Sequence, residues 1–465
     1  MDYKFRFAPS IKIKRTTSQI MFELLIALLA VLAFSLVYYQ MEYGLNYVIH
    51  ILTMLAASLI TAYAIEVLYA VATKKDIKKH LSSSYPYITS IILVLITSVN
   101  VQIYPIVIST AFAIFIGKLA FGGFGQNIFN PAGVGRIVLV TAFGGHTLAD
   151  LAVGATPVSS VNAQSWTVAA GGFEKFLEGF GGWTGLLTGW HPGAIGETPA
   201  ILMLILGVIL IVRQVIDWRI TISYLITLFV MGLVFALIGG MDLSYGLFQV
   251  INGGAIFGAV FMLTDPVTSP VHPVGRAIFG VGAAILTFII RLFGQTPGGV
   301  VFAIVLMNIL VPMIDYLLAG NQIKTYKKAM MSLAGVAVVA VLFSTLAGNV
   351  VQVVSAQDEN VSVLDVTDEG SSKVYRVESK GFNAGDKNIV LVQISGDGTV
   401  ESVSFEKFAD SDAEGAPARS DDFLSQFVGL DVVSEIDVDT SNSATFSSNS
   451  VLEAVKAAAA EHGGQ

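Results

Sequence analysis

Eleven apolar runs, most of them near the length needed to cross a bilayer, dominate this 465-residue chain. A crossing helix takes roughly 20 apolar residues. The runs are Ile20–Tyr39, Tyr47–Val71, Tyr85–Val99, Ile103–Leu119, Asn130–Phe143, Pro199–Val212, Ile220–Ile238, Leu247–Leu263, Ala277–Ile290, Gly299–Leu318 and Met331–Ala347. A Gly-rich polar stretch, Gly144–Thr198, separates the fifth from the sixth. Only 13% of residues are charged against 54% hydrophobic, more apolar surface than one soluble core hides, so a polytopic membrane protein is expected. The first run is too long for a cleaved signal and lacks a small-residue cleavage site.

Basic residues orient the chain, because short cytoplasmic loops are enriched in Lys and Arg. Lys4, Arg6, Lys12, Lys14 and Arg15 precede the first run, and Lys74, Lys75, Lys78 and Lys79 follow the second. Arg213 and Arg219 follow the sixth; Lys324, Lys327 and Lys328 follow the tenth. If every run crosses once, all four clusters share one side, expected to be cytoplasmic. Gly144–Thr198 and everything after the eleventh run then lie outside the cytoplasm. Ten runs divide into two sets of five, and an odd number per set would place the halves in opposite orientations, as in inverted-repeat membrane proteins.

The chain changes character near Val351. Residues Gln357–Gln465 carry a net charge of −14 and the remainder +6, together the overall −8. Alternating residues in Asn388–Ile394 and Val400–Phe405 flank Ser395-Gly396-Asp397-Gly398, a hairpin signal. Ser450–His462 reads as a helix with a Ser start. The expected organisation is an integral membrane domain over 1–328, a transmembrane tether over 329–350 and a small α+β domain over 351–465. The acidic balance argues against nucleic acid as a partner. With no cysteine, the chain alone offers no disulfide, thiolate metal site or cysteine-ligated iron–sulfur cluster. No residue pattern marks a catalytic group or a metal-ligand set.

Two strings interrupt the apolar pattern. Phe121–Ala132 (FGGFGQNIFNPA) combines glycines, two asparagines and a proline, which together break a helix and let backbones approach. Irregular backbone at membrane depth is tolerated where it is buried or lines a cavity. The string is therefore either a cofactor or ion site at a helix break, or tight helix packing plus a loop. Thr264–Pro270 (TDPVTSP), with His272 and Pro273 behind it, is a second break, where Asp265 caps the next element or orients a ligand. Among ionisable residues in the runs, Glu23, His50, Glu66, Arg291 and Asp315 stand out, and such residues are functional candidates by default. Glu66 lies deepest; Glu23, Arg291 and Asp315 sit where they could snorkel to an interface. Finally, Gly154-Ala155-Thr156-Pro157 and Asp439–Ser448 each place Thr after Ala among small residues, leaving a hydroxyl open to modification or simply forming a turn.

Four separated strings resemble the D subunit of the Rnf electron-transport complex and its cousin, the B subunit of sodium-pumping NADH:quinone oxidoreductase. They are Phe121–Ala132, Gly193–Ala200 (GAIGETPA), Thr264–Pro270 and Gly299–Tyr316 (GVVFAIVLMNILVPMIDY), in matching order. In the tail, Tyr375–Phe382, Ile389–Val403 and Asp439–Ser448 resemble the FMN-binding domain of the Rnf G subunit, so the chain looks like a D subunit fused to a G-like one. The resemblance implies ten spans in two inverted five-helix halves. It also implies electron transfer between ferredoxin and NAD coupled to sodium or proton movement across the prokaryotic cell membrane. It implies FMN joined through its phosphate to Thr hydroxyls. The D-type Ser-Gly-Ala-Thr string maps onto Gly154, Ala155 and Thr156, with Val153 in place of Ser. The G-type string maps onto Asp439, Ala444, Thr445 and Ser447, with Asn442 and Ser443 replacing its Ser and Gly. Implied partners are iron–sulfur and NADH-binding subunits and a flavin transferase, and a noncovalent flavin between the spans is a further expectation. A B-type quinone-reductase subunit and a passive small-solute channel are the competing readings.

Overall fold

The structure, a computed structural model, describes residues 16–151, 153–163, 173–294, 299–319, 322–350, 361–381, 386–410, 416–431 and 445–463. The first half holds α1 (Thr17–Glu42), α2 (Leu45–Ala72), α3 (Ile77–Ser84), α4 (Pro86–Leu95), α5 (Ile103–Phe115) and α6 (Pro131–Phe143). Three short helices follow: α7 (Pro157–Ala163), α8 (Phe173–Glu178) and α9 (Gly182–Thr188). The second half holds α10 (Ala200–Val212), α11 (Trp218–Gly239), α12 (Tyr245–Ile251), α13 (Ala255–Phe257, running into a π turn at Gly258–Met262), α14 (Pro273–Phe293) and α15 (Val300–Leu317). Then comes α16 (Gln322–Val350).

Among the described residues, seven helices are long and apolar enough to cross a membrane: α1, α2, α5 with the turn that extends it to Phe121, α11, α14, α15 and α16. The pair α12–α13, bent by 57°, makes an eighth if it counts as one span. The sequence expectation was eleven crossings; seven or eight of the corresponding helices have the full length. The other three runs form α4, α6 and α10, of 10, 13 and 13 residues. At 1.5 Å per residue, 13 residues rise only about 20 Å of the roughly 30 Å hydrocarbon layer. The α6 helix cannot extend backwards, because Asn130 caps it and Pro131 occupies its first turn. The α10 helix likewise starts at a proline, Pro199.

Small and hydroxyl side chains join the helices, as expected where apolar burial does not distinguish protein from lipid. Ser58 bridges α2 to Thr110 of α5 at 2.8 Å. Tyr224 of α11 meets Thr287 of α14 at 3.1 Å. Beside that pair, a Cβ on Gly280 would lie 2.7 Å from the Ile220 carbonyl, so glycine sets how closely α11 and α14 approach. The α16 helix is packed onto the bundle, with Phe343 edge-on to Phe293 and Gly348 against Ile238.

The C-terminal region is a four-stranded antiparallel meander: β1 (Val361–Glu369), β2 (Ser372–Ser379), β3 (Asn388–Ser395) and β4 (Val400–Lys407). The β3–β4 turn falls at the expected Ser395–Gly398. Alternate β3 residues Val390, Val392 and Ile394 face a core completed by Val451, Ala454, Val455 and Ala458 of the final helix, Thr445–Gly463. A short helix at Asp421–Leu424 (α17) precedes that final helix (α18). The α18 helix starts five residues before the Ser450 expected from the sequence, which brings Thr445 into its first turn.

Candidate functional site

The sequence strings meet in space. The backbone N–H of Asn130, at the start of α6, donates to Asn308 Oδ1 on α15 at 3.0 Å. Asn308 Nδ2 donates in turn to the Thr268 carbonyl at 3.0 Å, and Asn130 Nδ2 reaches the Met262 carbonyl at 3.3 Å. One buried asparagine pair thus ties the FGGFGQNIFNPA break to the TDPVTSP break. Asp265 caps its own turn, accepting from the Val267 N–H and the Thr268 hydroxyl. Asp315, at the end of α15, accepts from the Val271 and His272 N–H groups. Between the two breaks lies a cavity of about 70 Å³, lined by Lys118, Phe124, Asn127, Asn130, Thr264 and Asp265 among others. That is room for a couple of waters.

Beside that cavity, Glu66 is completely buried and held by three partners. Lys118 Nζ lies at 2.7 Å, His80 Nε2 at 2.6 Å and Ser84 Oγ at 2.5 Å. Lys118 also donates to the Ser84 carbonyl. The carboxylate singled out as the deepest is therefore locked in a neutralising pair. The other ionisable residues divide. Glu23 forms a two-pronged pair with the exposed Arg213, in keeping with an interfacial position. Arg291 does not snorkel. It is fully enclosed and donates to the carbonyls of Gln249, Asn252 and Gly253 and to Gln249 Oε1. This corrects the interfacial reading: the α12–α13 bend turns carbonyls toward α14, and they hold the guanidinium inside.

The fourth string, Gly193–Ala200, links both halves. The N–H groups of Ile195 and Gly196 donate to the carbonyls of Thr97, just past α4, and of Leu95, its last residue. The next residue, Glu197, sits against the bend: a Cβ on Gly254 would lie 2.6 Å from its carboxylate. Glu197 was not singled out within this string from the sequence, although a carboxylate between two apolar runs was the available signal. Glu197 lies in the connection outside the spanning helices. Burial pushes its carboxyl up to about 7, against the opposing pull of Arg136 and Arg291. In the same connection, burial pushes the His191 imidazole down to about 4. His191 pairs one ring nitrogen with the Pro192 carbonyl at 3.0 Å.

Gly154, Ala155 and Thr156 form a half-buried segment without regular structure that enters α7. Thr156 Oγ1 accepts the Ser159 N–H at 3.1 Å and lies 2.9 Å from Ser159 Oγ. Ser159 Oγ gives its one proton to the Thr156 carbonyl at 2.9 Å, so Thr156 Oγ1 caps the turn as an acceptor and donates its own proton to Ser159 Oγ. Gly154 lies close to Pro192, which a Cβ would approach to 3.4 Å. On the other side, Val158 packs against Gly253 at the α12–α13 bend. The Thr156 segment is therefore wedged between the Gly193–Ala200 connection and the broken span. Thr445 is the first residue of α18, whereas Asp439, Asn442, Ser443 and Ala444 lie outside the described residues. The first turns of α18 dock on the sheet: Ser447 Oγ donates to Asp410, and Asn388 Nδ2 donates to both Asp410 and Ser450 Oγ.

The family model described as "NQR2, RnfD, RnfE family" matches residues 4–324. The chain is 33% identical over 315 residues to the D subunit of the Na(+)-translocating ferredoxin:NAD(+) oxidoreductase complex of Acetobacterium woodii, covering 66% of this chain and 91% of that one. It is 31% identical to the D subunit of the proton-translocating ferredoxin:NAD(+) oxidoreductase complex of Clostridium ljungdahlii, covering 66% and 92%. It is also 30% identical over 269 residues to the B subunit of the Na(+)-translocating NADH-quinone reductase of Chromohalobacter salexigens, covering 57% and 64%.

Proposed function

The chain belongs to the NQR2, RnfD, RnfE family, and on that footing we propose that it is the D-type membrane subunit of an Rnf complex. Such a complex moves electrons between ferredoxin and NAD and couples them to sodium or proton translocation. The extent of similarity carries the reading. The chain covers 91% and 92% of two D subunits named for ferredoxin:NAD oxidoreductases, but 64% of the quinone-reductase B subunit. The B-type role is the second reading, favoured by the 30% identity to that protein. Electron delivery separates the two: a complex purified through this chain accepts electrons from reduced ferredoxin in the first case and reduces quinone in the second.

On this reading FMN is joined through its phosphate to Thr156, and a second FMN to Thr445 in a G-like tail. FMN supplies one- and two-electron transfer, which suits a chain without cysteine. Three features support Thr156: a half-buried hydroxyl, the small neighbours Gly154 and Ala155, and a Ser159 that orients the oxygen. Support for Thr445 is its place at the head of a helix whose first turns are pinned by Asp410 and Asn388. Both positions fall on the extracytoplasmic side of the charge-derived topology, where a flavin transferase would work. The iron–sulfur clusters and NADH site belong to partner subunits.

The two halves on this reading are inverted repeats. The third segment of each half is the irregular one, the short α4 and the bent α12–α13, and Gly193–Glu197 touches both. Interrupted segments at corresponding positions are the usual pointer to a functional centre in such folds.

The test is flavin fluorescence of the denatured chain on a gel. Thr156→Ala and Thr445→Ala each remove part of the signal, and the double variant removes all of it. Fluorescence that persists in the double variant overturns the attachment sites. Flavin released on denaturation counts as noncovalent and is measured separately in the supernatant.

A further inference from the structure

The α12–α13 bend has an unusual occupant. The α12 helix ends at Ile251, and Gly253 and Gly254 follow with φ of +64° and +70°, a left-handed path that favours glycine. The last carbonyls of a helix have no partners within it and form the negative end of its dipole. At a broken span such carbonyls are where transport proteins coordinate small cations. Here three carbonyls and one amide oxygen converge. Arg291 Nη1 takes Gln249 O at 2.6 Å and Gln249 Oε1 at 2.7 Å; Nη2 takes Asn252 O at 2.8 Å and Gly253 O at 3.2 Å.

Both glycines make room for this arrangement. A Cβ on Gly253 would lie 2.8 Å from Arg291 Nη2, and one on Gly254 would press on Glu197. Two buried polar atoms at the same place, Asn252 Oδ1 and Arg291 Nε, have no hydrogen-bond partner among the described residues. The donor set is all oxygen, with a carboxylate alongside, which is the ligand chemistry of a hard monovalent or divalent cation. The charge inside it is a guanidinium fixed to α14.

We propose that Arg291 is a tethered cation that occupies a monovalent-cation site at the broken span and so seals the membrane domain against passive ion flow. The fixed charge satisfies the carbonyl of Gln249 in α12 and those of Asn252 and Gly253 just past its end, and repels a free cation from the same oxygens. The inference goes beyond the electron-transfer reading and stands whichever carriers the chain serves.

The full chain, purified in its complex and reconstituted in vesicles without any electron donor, supplies the test. Wild type and Arg291→Lys, which keeps a tethered charge, stay tight to radioactive sodium. Arg291→Gln leaks sodium, and millimolar guanidinium added outside suppresses the leak by refilling the site. In detergent, the same guanidinium raises the thermal midpoint of Arg291→Gln but not of wild type. Should Arg291→Gln assemble only when guanidinium is present during purification, that also supports the proposal. An assembled Arg291→Gln complex that is tight to sodium and indifferent to guanidinium overturns it. Failure of both Arg291→Lys and Arg291→Gln to assemble, with or without guanidinium, overturns it too, because shape rather than charge would then be the requirement.

Discussion

Replacing Lys118 with Met should be among the most damaging single changes in the membrane domain. Glu66 and Lys118 are 0% and 2% exposed, with 2.7 Å between nitrogen and oxygen. At an effective dielectric of about 20, that separation gives roughly 6 kcal/mol of attraction, offset in the intact pair by the desolvation of both groups. Removing the ammonium leaves the carboxylate buried with, among the described residues, only His80 and Ser84 as partners. It also strips the Ser84 carbonyl of its donor. Breaking one side of such a pair costs about 3–5 kcal/mol. Removing both charges in Glu66→Met/Lys118→Met should recover part of that loss, because no unpaired charge stays buried, although Ser84 and His80 then lack their partners. Thermal unfolding in detergent, followed by intrinsic fluorescence, checks the order: wild type highest, the double variant between, Lys118→Met lowest. A Lys118→Met protein as stable as wild type, or a double variant no better than the single, would refute the argument that the pair is a neutralised structural lock.

Three further outcomes are expected. Asn308→Ala strands the Asn130 N–H and the Thr268 carbonyl, both buried, and should cost about 2–4 kcal/mol in the same unfolding assay; a loss below about 1 kcal/mol would mean the two breaks hold together without it. Burial keeps His191 neutral down to about pH 4, whereas its ordinary value is 6.5. The unfolded chain therefore takes up the proton first, and stability should fall as pH drops through that window. His191→Asn should flatten the fall, and an unchanged pH profile would count against it. In the tail, Gly381→Ala would drive a methyl into Asp410 and Asn388, which a Cβ would approach to 2.1 and 2.4 Å. It should loosen the head of α18, visible as faster amide exchange in its first turns with β1–β2 unaffected.

Much of the fold was legible because hydrophobic length and periodicity are local properties. Each apolar run became helix, the hairpin turn fell where Ser395–Gly398 placed it, and the composition change near Val351 marks the passage from helices to sheet. The lengths of the individual helices were not legible. A window of apolar residues reads the same whether a helix continues or stops, and α4, α6 and α10 stop because of prolines, asparagines and carbonyls claimed by distant N–H groups. Asp265 was expected to cap the next element, but it caps only its own turn, through partners two and three residues away, and His272 caps the helix that follows.

The sequence by itself determined the class of molecule: a chain too apolar to be soluble, with an acidic α+β tail and no thiol to carry electrons. Only the tertiary structure decided the state of each buried charge. Glu66 looked available until Lys118, 52 positions away, was placed 2.7 Å from it. Arg291 looked interfacial until the bend 38 to 42 positions earlier wrapped carbonyls around it. The physical reason is that the cost of burying a charge depends on which oxygens and ammonium groups come within about 3 Å of it, and that is set by how helices cross, not by how residues follow one another.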